Sequence, residues 1–154
     1  MANMIIKQKQ LKHFAIEIIA VLIGGFIGCN FRYFLSVWIH PQFLSYQNMH
    51  DFFKFPFAIF VINILGSFLI GFLQILLLEI KKREHKVSMY FWEPLILVGL
   101  LGGFTTVSSF ILDSINLFNA GFYMVALFNI LVSIISGFIF CLFGVYLGEK
   151  VVLK

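Results

Sequence analysis

Four stretches of this chain are apolar for long enough to cross a membrane, and the few polar residues within and between them carry the rest of the information. Positions 55–78 and 122–148 contain no charge, and positions 94–112 lie uncharged between Glu93 and Asp113. A hydrocarbon core of about 30 Å is crossed by about 20 helical residues, so each stretch predicts one transmembrane helix. The first stretch is less clean. Ile18 to Phe31 is uncharged, Glu17 precedes it, Arg32 interrupts it, and apolar sequence resumes through Ile39. Long basic side chains reach the interface along their own stems, so this too reads as one helix. The predicted architecture is an all-α membrane protein of one domain, residues 1–154, with spans at about 14–38, 55–78, 94–113 and 122–148.

Two features at the N-terminal side need separate treatment. Lys7, Lys9 and Lys12 ahead of an apolar run imitate a signal peptide. No small-x-small cleavage site follows, and Gly24, Gly25 and Gly28 look like packing positions, so the segment is read as a retained span. His40 to Lys54 reads as a loop, entered by Pro41 and closed by Pro56, which suits the first turn of the second span.

Composition sharpens the class. The chain is 61% hydrophobic and 12% charged, against about 25% charged residues in an average soluble domain. That excludes an ordinary soluble enzyme, a disordered segment and a nucleic-acid-binding module. Cys29 and Cys141 lie inside apolar runs, which argues against a disulfide framework. Phenylalanine is over-used, at 21 residues, so some rings are candidates for more than facing lipid.

The net charge of +4 matters less than where the charges fall. Lys7, Lys9, Lys12, Lys81, Lys82, Arg83, Lys86, Lys150 and Lys154 all belong to one side of a four-span topology. Lys54 stands alone on the other side, with Arg32 near a membrane end of the first span. Basic residues are retained in the cytoplasm, so both termini are predicted cytoplasmic in a multi-pass protein of the cell membrane.

Polar groups inside a membrane are costly and either pair or line a path. Asn63 and Ser67 share a face of the second span, between Gly66 and Gly71; Asn63 is either interhelical glue or an anion ligand through its amide N–H groups. In the third span, residues 99–110 read Gly-Leu-Leu-Gly-Gly-Phe-Thr-Thr-Val-Ser-Ser-Phe. Paired glycines followed by two threonines and two serines predict a helix broken at mid-membrane depth, with a simple kink as the alternative. A break exposes carbonyls to a small cation and a half-helix N-terminus to an anion. In the fourth span, Asn129 and Ser133 lie one turn apart and mark a partner helix or a wet track; Gly137, Gly144 and Gly148 read as packing positions. Nothing forms a catalytic constellation. His13, His40, His50 and His85 fall in tails or loops and are expected to be solvated. Ser108 and Ser109 have no base nearby in sequence, and Glu93 and Asp113 are expected to mark the ends of the third span.

These residues resemble the Fluc-type fluoride channels, the CrcB family, over most of the chain. Gly24-Gly25-x-x-Gly28-x-x-x-Arg32-Tyr33 is similar to the family's glycine–arginine motif. Pro56 with Asn63, Gly66 and Gly71 is similar to its proline–asparagine–glycine pattern. Gly99, Gly102, Gly103, Thr105, Thr106, Ser108 and Phe110 fall on its broken-helix signature. The resemblance implies an antiparallel, dual-topology dimer with two fluoride pores and a structural sodium ion held by backbone carbonyls matching Gly102 and Thr105. It implies a pore using Asn63 and Phe110, a hydroxyl track of Thr106, Ser108, Ser109 and Ser133, and Arg32, Gly24 and Gly28 at a vestibule or in packing. The implied role is passive export of cytoplasmic fluoride.

Four positions depart from that pattern. A pore phenylalanine of the family is Val107 here, a fourth-span tyrosine is Asn129, and a Gly-Thr pair is Ala58-Ile59. The one-sided basic residues also disfavour insertion in both orientations, so a paralogous second subunit is expected in place of a second copy. The alternatives are a non-conducting partner subunit and an exchanger of the small multidrug-resistance type, for which Glu17 is the one candidate membrane carboxylate.

Overall fold

The computed structural model describes residues 2–44, 55–83 and 89–153. Its elements are α1 (Ala2–Leu44), α2 (Phe57–Arg83), α3 (Met89–Glu93), a π-helical stretch (Pro94–Leu101), α4 (Gly102–Phe104), α5 (Val107–Asn119) and α6 (Tyr123–Val152). Among the described residues, four helical runs are long and apolar enough to cross a membrane: Gln10–Ile39, Phe57–Lys82, Met89–Asn119 and Tyr123–Val152. The third is made of α3, the π stretch, α4 and α5 in series. This is a multi-pass membrane protein.

Each boundary has a local cause, and several lie outside the predicted ones. Helix α1 continues through Pro41 to Leu44, so the expected loop from His40 starts later. A proline so near the end removes a single ladder bond and leaves little helix to disrupt. The remainder of that expected loop, residues 45–54, lies outside the described residues, as does the segment 84–88 with His85 and Lys86. The third span begins before Glu93 and continues past Asp113, so neither acid marks its end. The π stretch starts at Pro94, which has no N–H to give and whose ring clashes with the preceding turn of a regular α-helix. A wider turn relieves both problems. Helix α5 ends in a Schellman turn, with Phe122 N–H donating to Leu117 O at 2.9 Å and Gly121 N–H to Phe118 O at 3.0 Å. Gly121 sits at φ +85°, the left-handed conformation that turn requires.

Glycines set the distances between helices. A Cβ on Gly24 or Gly28 would strike the Leu95 or Leu100 carbonyl of the π stretch, and one on Gly103 would lie 2.8 Å from Gly25 O. The same holds between α2 and α6, where Gly71 faces the Cys141 carbonyl and Gly144 faces the Phe68 carbonyl. Gly24 and Gly28 are therefore packing positions. Helices in lipid gain no hydrophobic drive from meeting each other, so backbone-to-backbone contact of this kind holds them together. Phenylalanine fills the margins: Phe55 meets Phe57, Phe60 and Phe128 with ring centroids 4.9, 5.1 and 5.9 Å apart, closing the start of α2 onto α6.

Gly28→Ala should therefore lower stability by about 3 kcal/mol, because the clash is with backbone that cannot move aside. Gly25→Ala, whose nearest neighbour would be Gly99 O at 4.0 Å, should change it by less than about 1 kcal/mol. Unfolding of the two variants in detergent micelles checks the contrast; equal losses would contradict the packing described.

Candidate functional site

The third span breaks at two residues. Thr105 has ψ 156° and Thr106 has φ −152° and ψ 124°, both extended, while Gly102 remains helical at φ −65° and ψ −36°. The expected break is present, and it sits on the threonines while the paired glycines stay in the helix, Gly103 packed against α1. Extended backbone at this depth leaves peptide groups that lipid cannot satisfy. Asn63 of α2 satisfies the most exposed pair. Thr106 N–H donates to Asn63 Oδ1 at 2.9 Å, and Asn63 Nδ2 donates to Thr106 O at 3.0 Å. The Thr106 N–H is thereby taken away from Gly102 O, its partner in an unbroken helix.

The hydroxyls around the break are mostly committed. Thr105 Oγ1 donates back to Leu101 O at 3.0 Å. Thr106 Oγ1 caps α5 by accepting from Ser109 N–H at 3.3 Å, and donates to Ser109 Oγ at 3.3 Å. Ser108 Oγ lies 3.0 Å from the same oxygen. Ser108 and Ser109 thus face the cap.

Against the break lies a groove of about 510 Å³, walled by Asn63, Ser67, Ile70, Gly102, Thr105, Thr106, Val107, Phe110, Ser133 and Ile134. It brings together six of the residues expected at a pore or cation site from three spans: Asn63, Thr106, Phe110, Ser133 and the Gly102–Thr105 pair. Ser108, Ser109, Arg32, Gly24 and Gly28 are not among its lining residues. Arg32 instead reaches Cys29 Sγ, at 3.7 Å. Val107, at the position where the resemblance expects a ring, is 69% exposed.

Of two further polar arrangements, the first is the partner-helix contact expected of Asn129 and the second differs from expectation. Asn129 is 1% exposed and donates through Nδ2 to Ser114 Oγ at 2.9 Å, a contact between α6 and α5. Ser114 was missed because the third span was expected to stop at Asp113; the signal that finds it is an amide in an apolar helix needing a partner. His13 lies within α1, not in a solvated tail, with its ring centroid 4.3 Å from that of Tyr90. Nearby, Lys81 pairs with Glu93 at 2.6 Å and Lys82 with Glu79 at 3.7 Å.

A family profile described as "CrcB-like protein, Camphor Resistance (CrcB)" matches residues 19–145, which contain every wall of this groove. The chain belongs to the CrcB family. Relatives named "Fluoride-specific ion channel FluC" include one from Ruminiclostridium cellulolyticum, 40% identical over 87% of this chain and 90% of the relative. Another, from Parabacteroides distasonis, is 36% identical over 89% and 96%, and one from Hydrogenobaculum sp. is 38% identical over 84% and 95%.

Replacing the Asn63 clamp should expose what the break costs this CrcB chain. Asn63→Leu leaves the Thr106 N–H and C=O both unpaired in an apolar setting and should lose about 2–5 kcal/mol. Unfolding in detergent checks it, with Ser67→Ala, on the same helix face, as the near-neutral comparison.

Proposed function

We propose that this chain is a subunit of a fluoride-selective channel that exports cytoplasmic fluoride passively and so protects the cell from it. The observation that carries the proposal is the groove at the broken span. An amide has two N–H donors, and Asn63 gives one to Thr106, leaving the other for an anion. The first turn of α5 adds N–H groups with the positive end of a helix dipole behind them. Phe110 adds a ring whose edge carries the positive part of its quadrupole. Neutral, weak donors in series let a strongly hydrated anion enter without holding it. Charged ligands would trap it.

The groove also speaks for a second subunit. It is open along one side, and an ion in it would face hydrocarbon unless protein covered that side. The resemblance supplies the arrangement, an antiparallel pair with two pores. The same resemblance places a structural sodium ion at carbonyls of Gly102 and Thr105. The donor set fits a hard cation: Gly102 O loses its helical N–H partner to the Asn63 clamp, and neutral carbonyl oxygen suits such ions. When bound, the ion would take the place of the N–H that the Gly102 carbonyl has lost.

The second subunit is best read as a paralogue. Nine basic residues on the terminal side against Lys54 on the other favour one orientation, with both termini cytoplasmic. Their pairing with Glu93 and Glu79 does not weaken this, since acidic residues count for little in orientation. A second reading, a partner subunit that completes another chain's pore without conducting, is favoured by Val107, which offers the groove no ring edge. Glu17 lies near the basic end of α1, which gives an exchanger mechanism no mid-membrane carboxylate.

Fluoride efflux from proteoliposomes tests the function, with chloride as the control anion: efflux is expected when this chain is co-assembled with a paralogue of opposite charge bias. Single cysteines placed at either terminus or at Ser45 should each label from one side only. Efflux from this chain alone would overturn the need for a paralogue. Val107→Phe should raise fluoride flux severalfold; no change in any partner context would favour the non-conducting reading.

A further inference from the structure

Three polar side chains link α6 to α5 beside the groove, and their chemistry allows one direction of hydrogen bonding. Ser114 Oγ donates its single proton to Phe110 O, one turn back, at 2.9 Å. With that proton spent, Ser114 can meet Asn129 only as an acceptor, so the Asn129 Nδ2 group must face it, as it does at 2.9 Å. The amide oxygen is thereby turned towards Ser133. An amide oxygen has no proton, so Ser133 Oγ must donate, over 3.3 Å. Ser133 also lines the groove, whereas Ser114 borders a separate apolar groove of about 550 Å³ between α5 and α6.

We infer that Asn129 is a positioning residue that fixes the polarity of Ser133, so that Ser133 shows the groove its lone pairs and withholds its proton. The inference rests on the proposed fluoride pathway and changes the part Ser133 plays in it. An anion in the groove meets donors on the Asn63 and α5 wall and an acceptor on the α6 wall. It is held at the first and repelled by the second. For Ser133 to ligate fluoride, its bond to Asn129 must break first. Reversing the amide would require Ser114 to withdraw its proton from Phe110 O and give up that bond. The polarity of a groove residue is thus set two side chains away, at the Phe110 carbonyl.

The test is the effect of Ser133→Ala on fluoride efflux in three backgrounds, each assembled with its second subunit. In the native background Ser133→Ala removes an acceptor, and flux should stay the same or rise. In Asn129→Leu, Ser133 is released to donate. In Ser114→Ala, Asn129 is free to turn its N–H towards Ser133 and release the same proton. In both backgrounds Ser133→Ala should then cut flux roughly tenfold, the order expected for one hydrogen bond to a charged group. An equal effect in all three would overturn the inference, as would a tenfold loss in the native background. Ser114→Ala removes only a hydroxyl outside the groove, which guards against failure of Asn129→Leu to fold.

If the native assembly carries no fluoride, the functional proposal fails, and a second readout still decides the polarity. The side-chain amide protons of Asn129, followed by 15N-resolved NMR in nanodiscs, should shift on Ser114→Ala and hold on Ser133→Ala. The reverse pattern would overturn the inference.

Discussion

Two hydrogen bonds between one asparagine and one peptide unit allow the third span to stay broken inside a membrane. Water is absent there, and each unpaired peptide group costs several kcal/mol. Asn63 matches Thr106 as donor to acceptor and acceptor to donor, in the manner of a neighbouring backbone. The break then acquires consequences. It starts a new helix at Val107 with its N-terminus facing the groove, and it separates the carbonyl of Gly102 from its usual donor. The amide is both support and surface: half of its hydrogen-bonding capacity holds the backbone open, and the remaining N–H faces what the opening created.

The clamp works because the helices stand where it can reach. Asn63 is on α2, and the third span is held by α1 through glycines too close for any side chain to intervene, at 2.8 Å between a would-be Gly103 Cβ and Gly25 O. Gly66, one turn from Asn63, lies against the Thr105 side chain, so the break also seats its methyl group on α2. A larger residue at either place would push the two spans apart and leave Asn63 short of Thr106. Close packing and polar satisfaction are one constraint seen from two directions: the first sets a distance that the second requires.

Much of this was legible in the sequence because lipid imposes simple rules. Four uncharged runs implied four helices, the Gly-Gly-Phe-Thr-Thr segment implied a break, and Gly24 and Gly28 implied contact. What escaped was what depends on partners far along the chain. Asn63 offered two readings, glue and ligand; its bonds to Thr106 realise the first, and the second belongs to the proposal. Ser114 was placed in a loop because Asp113 was taken as a membrane boundary, although acids can lie within a helix that continues to Asn119. His13 was placed in water because the first span was expected to begin one residue after it, while its neighbour in space is Tyr90. Periodicity and length report a helix's relation to the bilayer. They do not report which side chain of another helix lies opposite.

The departures from the family pattern are spread over α2, α5 and α6, and that placement constrains how they combine. Asn63 and Phe110, the wall that can attract an anion, are kept. Val107, beside the mouth of α5, gives up a ring edge, and Asn129, on α6, turns Ser133 into an acceptor. In the proposed pathway both changes reduce what this chain offers an anion, while Asn63 and Phe110 are kept. In a pair of identical subunits, both pores would carry the weakness. In the proposed pair of unlike subunits, one partner's α5 and α6 can supply what this chain lacks, and the charge bias expected to orient this chain is what such a partner would complement. Orientation and groove chemistry therefore point to the same requirement by independent routes: one from basic residues outside the membrane, the other from hydroxyls and rings within it.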